Sequence, residues 1–256
     1  MKRLLLIVTL LIFAGCVTGQ QARDMLEGMR DRGSVAPTSE EIAAGLKEAL
    51  KVGSTDAAGL LSAAGGYYLN DAYKILLPPD GEKIVTNIAK IPGGQKMVDD
   101  VILRINTAAE NAASTAAPIF VDAITEMTIA DALGILKGGD DAATQYLYQS
   151  TSAKLKETYR PYLKAALDKP LVAGISATQS WDVLTSSYNK VASSIVGKVA
   201  GMSTVDSDLE DYVLDKAIAG MFGELAEQEK EIRADPLQYA SDIIKKVFSY
   251  AKTVRE

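Results

Sequence analysis

With 256 residues, 48% of them hydrophobic, the chain can bury a core in one domain of ordinary size or in two small ones. It contains no histidine, which excludes His-ligated metal sites, Ser-His-Asp triads and Cys-His dyads. Acidic residues outnumber basic ones, 33 to 27, for a formal net charge of −6; such a chain lacks the electrostatic footing for phosphate backbones, and no nucleic acid partner is expected.

Lys2 and Arg3 precede an apolar run from Leu4 to Phe13, followed by Ala14-Gly15-Cys16. This pattern predicts a secretory signal peptide over residues 1–15, since the apolar run is shorter than the ~20 residues that span a bilayer as a helix. Phe13-Ala14-Gly15-Cys16 resembles the bacterial lipobox, with phenylalanine in place of the usual leucine. Cys16 is the only cysteine, so no intramolecular disulfide can form and lipidation is its expected use. The resemblance implies several acyl chains on Cys16, enough to hold the protein on a membrane facing the periplasm. Residues 16–37 are polar and mixed and read as a lipid-anchored, flexible tether. Residues 38–256 read as a single helical domain.

Thr38 with Glu41 three residues on forms a capping box ahead of Ile42 and Leu46, and Gly53 is expected to stop that helix. A second short helix should run from Thr55 or Asp56 to Ala64, ended by Gly65-Gly66. The Tyr/Pro-containing segment 67–79 is the least regular: its apolar residues need burial, but Pro78-Pro79 forbids a continuous helix. It is expected to lie across the bundle, extended or in short helical turns. Helix is predicted again from Asp80 to Lys90, with a stop at Ile91-Pro92-Gly93-Gly94. A further helix begins near Gln95, with Met97, Val101, Ile105, Ala108 and Ala112 at near-helical spacing.

Pro118 is expected at the first position of the next helix, with Ile119, Phe120, Ala123, Ile124 and Met127 on one face. Thr128 and Asp131 suggest another capping box, with Ile129, Ala132, Leu133 and Leu136 as the apolar stripe and Gly138 as the end. Asp140 should cap a helix with Ala143, Tyr146 and Leu147 inward. Ser152 to Leu167 continues as helix with Leu155, Tyr159, Tyr162 and Ala166 on one side, and Pro161 should kink or break it. After a loop at Lys169-Pro170 and Gly174, Ser176 or Thr178 caps a helix carrying Trp181, Leu184, Tyr188 and Val191. Ser207 or Asp208 opens a strong helix with Leu214, Ile218, Met221, Phe222 and Leu225 inward and a solvated end at Glu227 to Glu231. Asp235-Pro236 should start the last helix, with Ala240, Ile243, Ile244, Val247 and Phe248 apolar. No stretch alternates strictly and no repeat is evident, so the fold class is all-α: a multi-helix bundle of short to medium helices.

Three motifs fail on inspection. Gly138-Gly139-Asp140-Asp141 resembles the diguanylate cyclase signature, but Asp141-Ala142 stands in place of the Glu-Phe that completes it, and helices flank it where a β-hairpin is needed. Alternating carboxylates from Asp206 to Asp211 resemble the start of an EF-hand loop, yet Asp211 stands where the turn glycine belongs and Ala217 where the bidentate Glu would be. Ser187 and Lys190 have Ser-x-x-Lys spacing without the accompanying Ser-Asp-Asn and Lys-Thr-Gly. Lys156, Arg160 and Lys164 form a ridge at i, i+4, i+8 that reads as a solvated, acid-paired face. The tyrosines at 146, 148, 159 and 162 read as core, with a groove for a stacked ligand as the sharper alternative. Around the glycine pair, Asp122, Glu126, Gly138, Gly139, Asp140, Thr144 and Tyr146 are the candidate ligand contacts, for a cation or a polar neutral group, because Asp140 and Asp141 would repel an anion.

Gly66-Tyr67-Tyr68-Leu69-Asn70, Pro118 through Ile124, Met127 through Asp140, Asp208 through Val213 and Lys216 through Phe222 together resemble the bacterial family catalogued as domain of unknown function 4197, over about Ala43 to the C-terminus. The resemblance implies an exported protein of Gram-negative bacteria and supplies no mechanism. A periplasm-facing lipoprotein whose helical domain binds a protein partner or a small ligand is the expected function. A carboxylate-based hydrolase or lyase using Asp140, Asp122 or Glu126, and a purely structural envelope protein, are the alternatives. No cofactor is expected, and the expected partners are the membrane, through the anchor, and an envelope protein or small molecule.

Overall fold

The computed structural model describes residues 36–79, 94–170, 174, 176–204 and 208–255. The expected leader, Cys16, nearly all of the tether and the Asp80–Lys90 helix lie outside them. Thr38–Glu256 forms one unit, distinct from Met1–Pro37. Among the described residues there is no strand, only an isolated antiparallel bridge between Pro170 and Ser176. The elements in chain order are α1 (Ser39–Ser62), α2 (Gly94–Ala113), α3 (Ala116–Glu126), α4 (Ile129–Lys137), α5 (Ala142–Leu167), α6 (Ala177–Ala192), α7 (Ile195–Val199), α8 (Leu209–Ala234), a 3₁₀ turn (Pro236–Gln238) and α9 (Asp242–Arg255). The domain is an all-α bundle.

α1 is the axis of this bundle, packing against α2, α3, α4, α8 and α9. Its Thr38–Glu41 capping box is present, with Glu41 N–H donating to Thr38 Oγ1 at 3.2 Å and Thr38 N–H donating to Glu41 Oε2 at 2.9 Å. Gly53 does not stop the helix. The two short helices expected on either side of it are one helix of 24 residues, and Gly53 is buried within it because a Cβ there would lie 3.2 Å from Ile232 Cδ1 of α8. Gly45 plays the same part against α9, where a Cβ would stand 2.6 Å from Val247 Cγ2. Buried Ala43, Ala49, Ala57 and Ala58 continue the set of small residues. A helix surrounded by five others needs such residues so that neighbouring backbones can approach from several sides. The chain leaves α1 through Gly65, whose φ of 85° favours glycine.

Segment 67–79 crosses the bundle in turns and then extended backbone, as its composition suggested. Two polar residues one turn apart on α2 hold it. The Glu110 carboxylate accepts from the Tyr67 and Tyr68 N–H groups at 3.3 and 3.1 Å. The Asn106 amide both accepts from Ile75 N–H and donates to Ile75 C=O, each at 2.8 Å. These bonds satisfy buried backbone that has no helix or sheet partner. The Tyr67 ring is fully buried; its hydroxyl donates to Ala217 C=O at 2.7 Å. The ring fits only because α8 has Gly220 beneath it, where a Cβ would be 2.7 Å from Tyr67 Cε1; Gly223 makes the same allowance for Tyr73.

Several registers differ from the sequence reading. α3 begins at Ala116, which puts Pro118 in its third position rather than its first; the missing N–H is still among those with no intrahelical partner. α4 has the expected Thr128–Asp131 box, but its stripe is Ala132, Ile135 and Leu136, and Ile129 is 44% exposed. α5 is continuous over 26 residues through Pro161, with no break. Its inward face is Leu147, Thr151, Leu155, Tyr159, Leu163 and Leu167; Tyr162, expected inside, is 44% exposed. α6 is capped by Ser176 with Gln179; Ala177, Trp181, Thr185 and Ala192 are buried, Val191 is exposed, and the side chain of Leu184, expected on the inner face, lies outside the described ones. Pro236 opens the 3₁₀ turn instead of the last helix, which starts at Asp242 and buries Ile244, Val247 and Phe248 while Ala240 is exposed.

Candidate functional site

The joint between α4 and α5 is closed from a third helix. Asp140 was expected to cap α5, but Asp141 is the residue in the cap position and its side chain makes no cap hydrogen bond. Glu229 of α8 supplies the cap instead. Its carboxylate accepts from Ala143 N–H at 3.0 Å, Thr144 N–H at 2.8 Å and Thr144 Oγ1–H at 2.9 Å. Four residues on, the Arg233 guanidinium donates to Glu229 Oε1 from Nη2 at 2.6 Å and Nε at 2.9 Å, and to Ile135 C=O near the end of α4 at 3.1 Å. Arg233 also lies 6.0 Å over the Phe248 ring of α9. One ion pair therefore satisfies orphan N–H groups at a helix N-terminus and adds a second donor to the Ile135 C=O, which already accepts from Gly138 N–H at 3.0 Å, with the carboxylate and the guanidinium on the favourable ends of the two dipoles.

This corrects the reading of Glu227 to Glu231 as solvated: Gln228, Glu229 and Arg233 are all buried. The run is polar enough to be solvent-facing, and only the packing of α8 against α5 and α1 turns one side of it inward. Of the candidate ligand contacts, Asp122, Glu126, Gly139 and Asp140 are exposed, Gly138 and Tyr146 are half-buried, and Thr144 is buried with its hydroxyl and N–H both on Glu229. The structure brings Tyr146 near Asp131 and Glu126; burial, then those two carboxylates, raise its hydroxyl pKa. Gly138 is tightly fitted, since a Cβ there would be 2.5 Å from Ala142 Cβ.

The α5 ridge is paired with α8. Lys156 meets Asp215 at 2.7 Å, and Arg160 meets Glu210 at 2.9 Å and Asp211 at 2.7 Å, while Lys164 pairs with Asp168 on its own helix at 2.7 Å. These exposed pairs contribute little each. The tyrosines separate: Tyr159 is core, Tyr148 packs edge-on to Phe222 with centroids 4.9 Å apart, and Tyr162 lines a groove.

That groove runs between α2 and α5 and has a volume of about 530 Å³. Its lining includes the apolar Leu103, Ala108, Pro161, Tyr162, Ala165 and Ala166, together with the cations Arg104 and Lys169. Neither cation forms an ion pair with any described residue. The sequence reading missed it. Its signal was present in the alanines, which leave space between two helices, and in Leu103, which falls off the inward phase of α2. Among the described residues no group of three or more Cys, Asp or Glu stands close enough to hold a metal ion, and no helix is long and apolar enough to cross a membrane.

A family model described as "Protein of unknown function (DUF4197)" matches residues 36–249. Among curated proteins and solved structures, none matches the chain. The match runs from ahead of the first capping box to the middle of α9, most of the chain, and the chain belongs to the DUF4197 family.

Proposed function

We propose that the protein is a lipoprotein of the cell envelope, anchored through Cys16 and facing the periplasm, whose helical domain binds a small apolar molecule bearing one anionic group in the groove between α2 and α5. The observation that carries the ligand class is that two cations, Arg104 and Lys169, line an apolar groove and form no ion pair with any described residue, in a chain whose net charge is −6. In such a chain, cations near acids pair with them, as Lys156 and Arg160 do; two with no such pair beside an apolar wall suit an acyl or aromatic carboxylate. A volume of about 530 Å³ falls in the range of small-molecule sites. The anchor is supported by the lipobox-like Phe13 to Cys16 and by the use of the single cysteine there.

Calorimetry with fatty and aromatic carboxylates tests the groove. Arg104→Glu should weaken binding about tenfold or more, the scale of a charge-assisted hydrogen bond lost, and Ala165→Leu, at an exposed position on the wall, should block it without unfolding the domain. Binding that is indifferent to both substitutions, or no heat with any such ligand, would overturn the proposal. Incorporation of a labelled lipid precursor into the wild-type chain and not into Cys16→Ser tests the anchor separately.

A further inference from the structure

From Val183 to Thr204 the chain has no Asp or Glu and carries Lys190 and Lys198, although acids make up 33 of its 256 residues. The same stretch displays, in Val199 at 85% and Ile195 at 84%, the two most exposed aliphatic side chains among the described residues, with Val196 at 76% and Val183 and Val191 also exposed. These residues sit on an ordered turn. Ser194 caps α7 by accepting from Gly197 N–H at 3.1 Å. Gly197 packs onto the end of α6 so closely that a Cβ would lie 2.6 Å from Ala192 C=O and collide with that of Val191. Gly201, at φ 71°, and the Met202 N–H to Gly197 C=O bond of 2.9 Å close the turn behind it. Lys190 and Lys198 are exposed and form no ion pair with a described residue.

We infer that the α6–α7 corner is a membrane-contact surface that inserts Ile195, Val196 and Val199 into the interfacial layer of an anionic bilayer, with Lys190 and Lys198 on its headgroups. An exposed aliphatic cluster calls for an apolar environment. A protruding turn suits a deformable lipid surface, because it needs no complementary cleft. Charge selects an anionic surface: in an acidic domain, a stretch with no acid of its own and two exposed lysines meets one with attraction. The inference rests on the anchor reading in one respect. Acylation at Cys16, 22 residues ahead of Thr38, would keep the domain close to the membrane that the corner touches.

The test uses the full chain carrying Cys16→Ser, so that acylation plays no part and the anchor reading stands or falls on its own labelling experiment. A polarity-sensitive fluorophore is placed at Val196→Cys, or at Lys230→Cys as an exposed control, and the protein is mixed with phosphatidylglycerol-containing or purely zwitterionic vesicles. The expected result is a blue shift, with quenching by a lipid-borne quencher, at position 196 only and on anionic vesicles only. Lys190→Glu with Lys198→Glu should reduce the immersed fraction tenfold or more; Ile195→Ser with Val199→Ser should do likewise, each buried aliphatic side chain being worth about tenfold or more. Equal signals at both positions, no shift on anionic vesicles, or a blue shift without vesicles accompanied by dimerisation or by capture of an acidic protein would overturn the inference.

Discussion

Glu229→Ala is the most searching perturbation of the domain. It would remove the acceptor for three donors, Ala143 N–H, Thr144 N–H and Thr144 Oγ1–H, and would leave Arg233, 8% exposed, with Ile135 C=O as its one hydrogen-bond acceptor among the described residues. Breaking a buried ion pair from one side costs about 3–5 kcal/mol, because a charge is left uncompensated, and the orphaned N–H groups add to this. In a domain of this size 1 kcal/mol corresponds to about 2–4 °C in Tm, so Tm should fall by roughly 6–20 °C, with a matching drop in the urea midpoint at unchanged m. Replacing both partners, as Glu229→Gln with Arg233→Met, should destabilise less than Glu229→Ala, since the amide can still accept at the α5 N-terminus and no charge remains. A loss under about 1 kcal/mol for Glu229→Ala would refute the reasoning and return Glu229 to the solvated face that its sequence neighbours suggest. So would a double variant weaker than the single one.

Further expectations follow from packing and titration. Gly220→Ala should destabilise by about 1–3 kcal/mol, because its Cβ would meet Tyr67, which cannot move while bonded to Ala217; Gly134→Ala, with nothing within 4 Å, should stabilise by about 0.5–1 kcal/mol, and equal effects of the two in denaturant titrations would contradict this packing. Glu41, held low by the Lys246 hydrogen bond, Asp131, by the Thr128 hydroxyl, and Asp168, by Lys164, all have depressed carboxyl pKa values. Their stabilisation is present above the unfolded values and is lost as pH falls through the folded ones, so Tm should decline below about pH 4, and Glu41→Gln, Asp131→Asn and Asp168→Asn together should flatten that limb. Burial raises the Tyr67 and Tyr159 hydroxyls well above the ordinary value. As pH rises past about 10 the unfolded chain ionises first and stability falls; phenolate absorbance should show these two tyrosines titrating only with unfolding, and early titration of all eleven would refute their burial.

What the sequence determined by itself was local. The Thr38, Thr128 and Ser176 caps and the inward face of α8 could be read because each depends on residues within a turn or two of one another. The all-α class followed from the same periodicity. The family resemblance, carried by short quoted motifs, holds over residues 36–249. Tertiary structure decided where local rules compete. Gly53 has the chemistry of a helix stop, and it continues α1 only because α8 needs to come close. Glu229 and Arg233 look like surface charges, and they are buried because Glu229 faces the open N-terminus of α5 and Arg233 the last turn of α4, 85 or more residues away in sequence. Asn106 and Glu110 could not be assigned to segment 67–79 before that segment was laid across α2. The groove is of the same kind. Arg104 and Lys169 are far apart in the chain, and only the crossing of α2 and α5, held apart by alanines, puts two cations with no ion pair among the described residues beside one apolar wall.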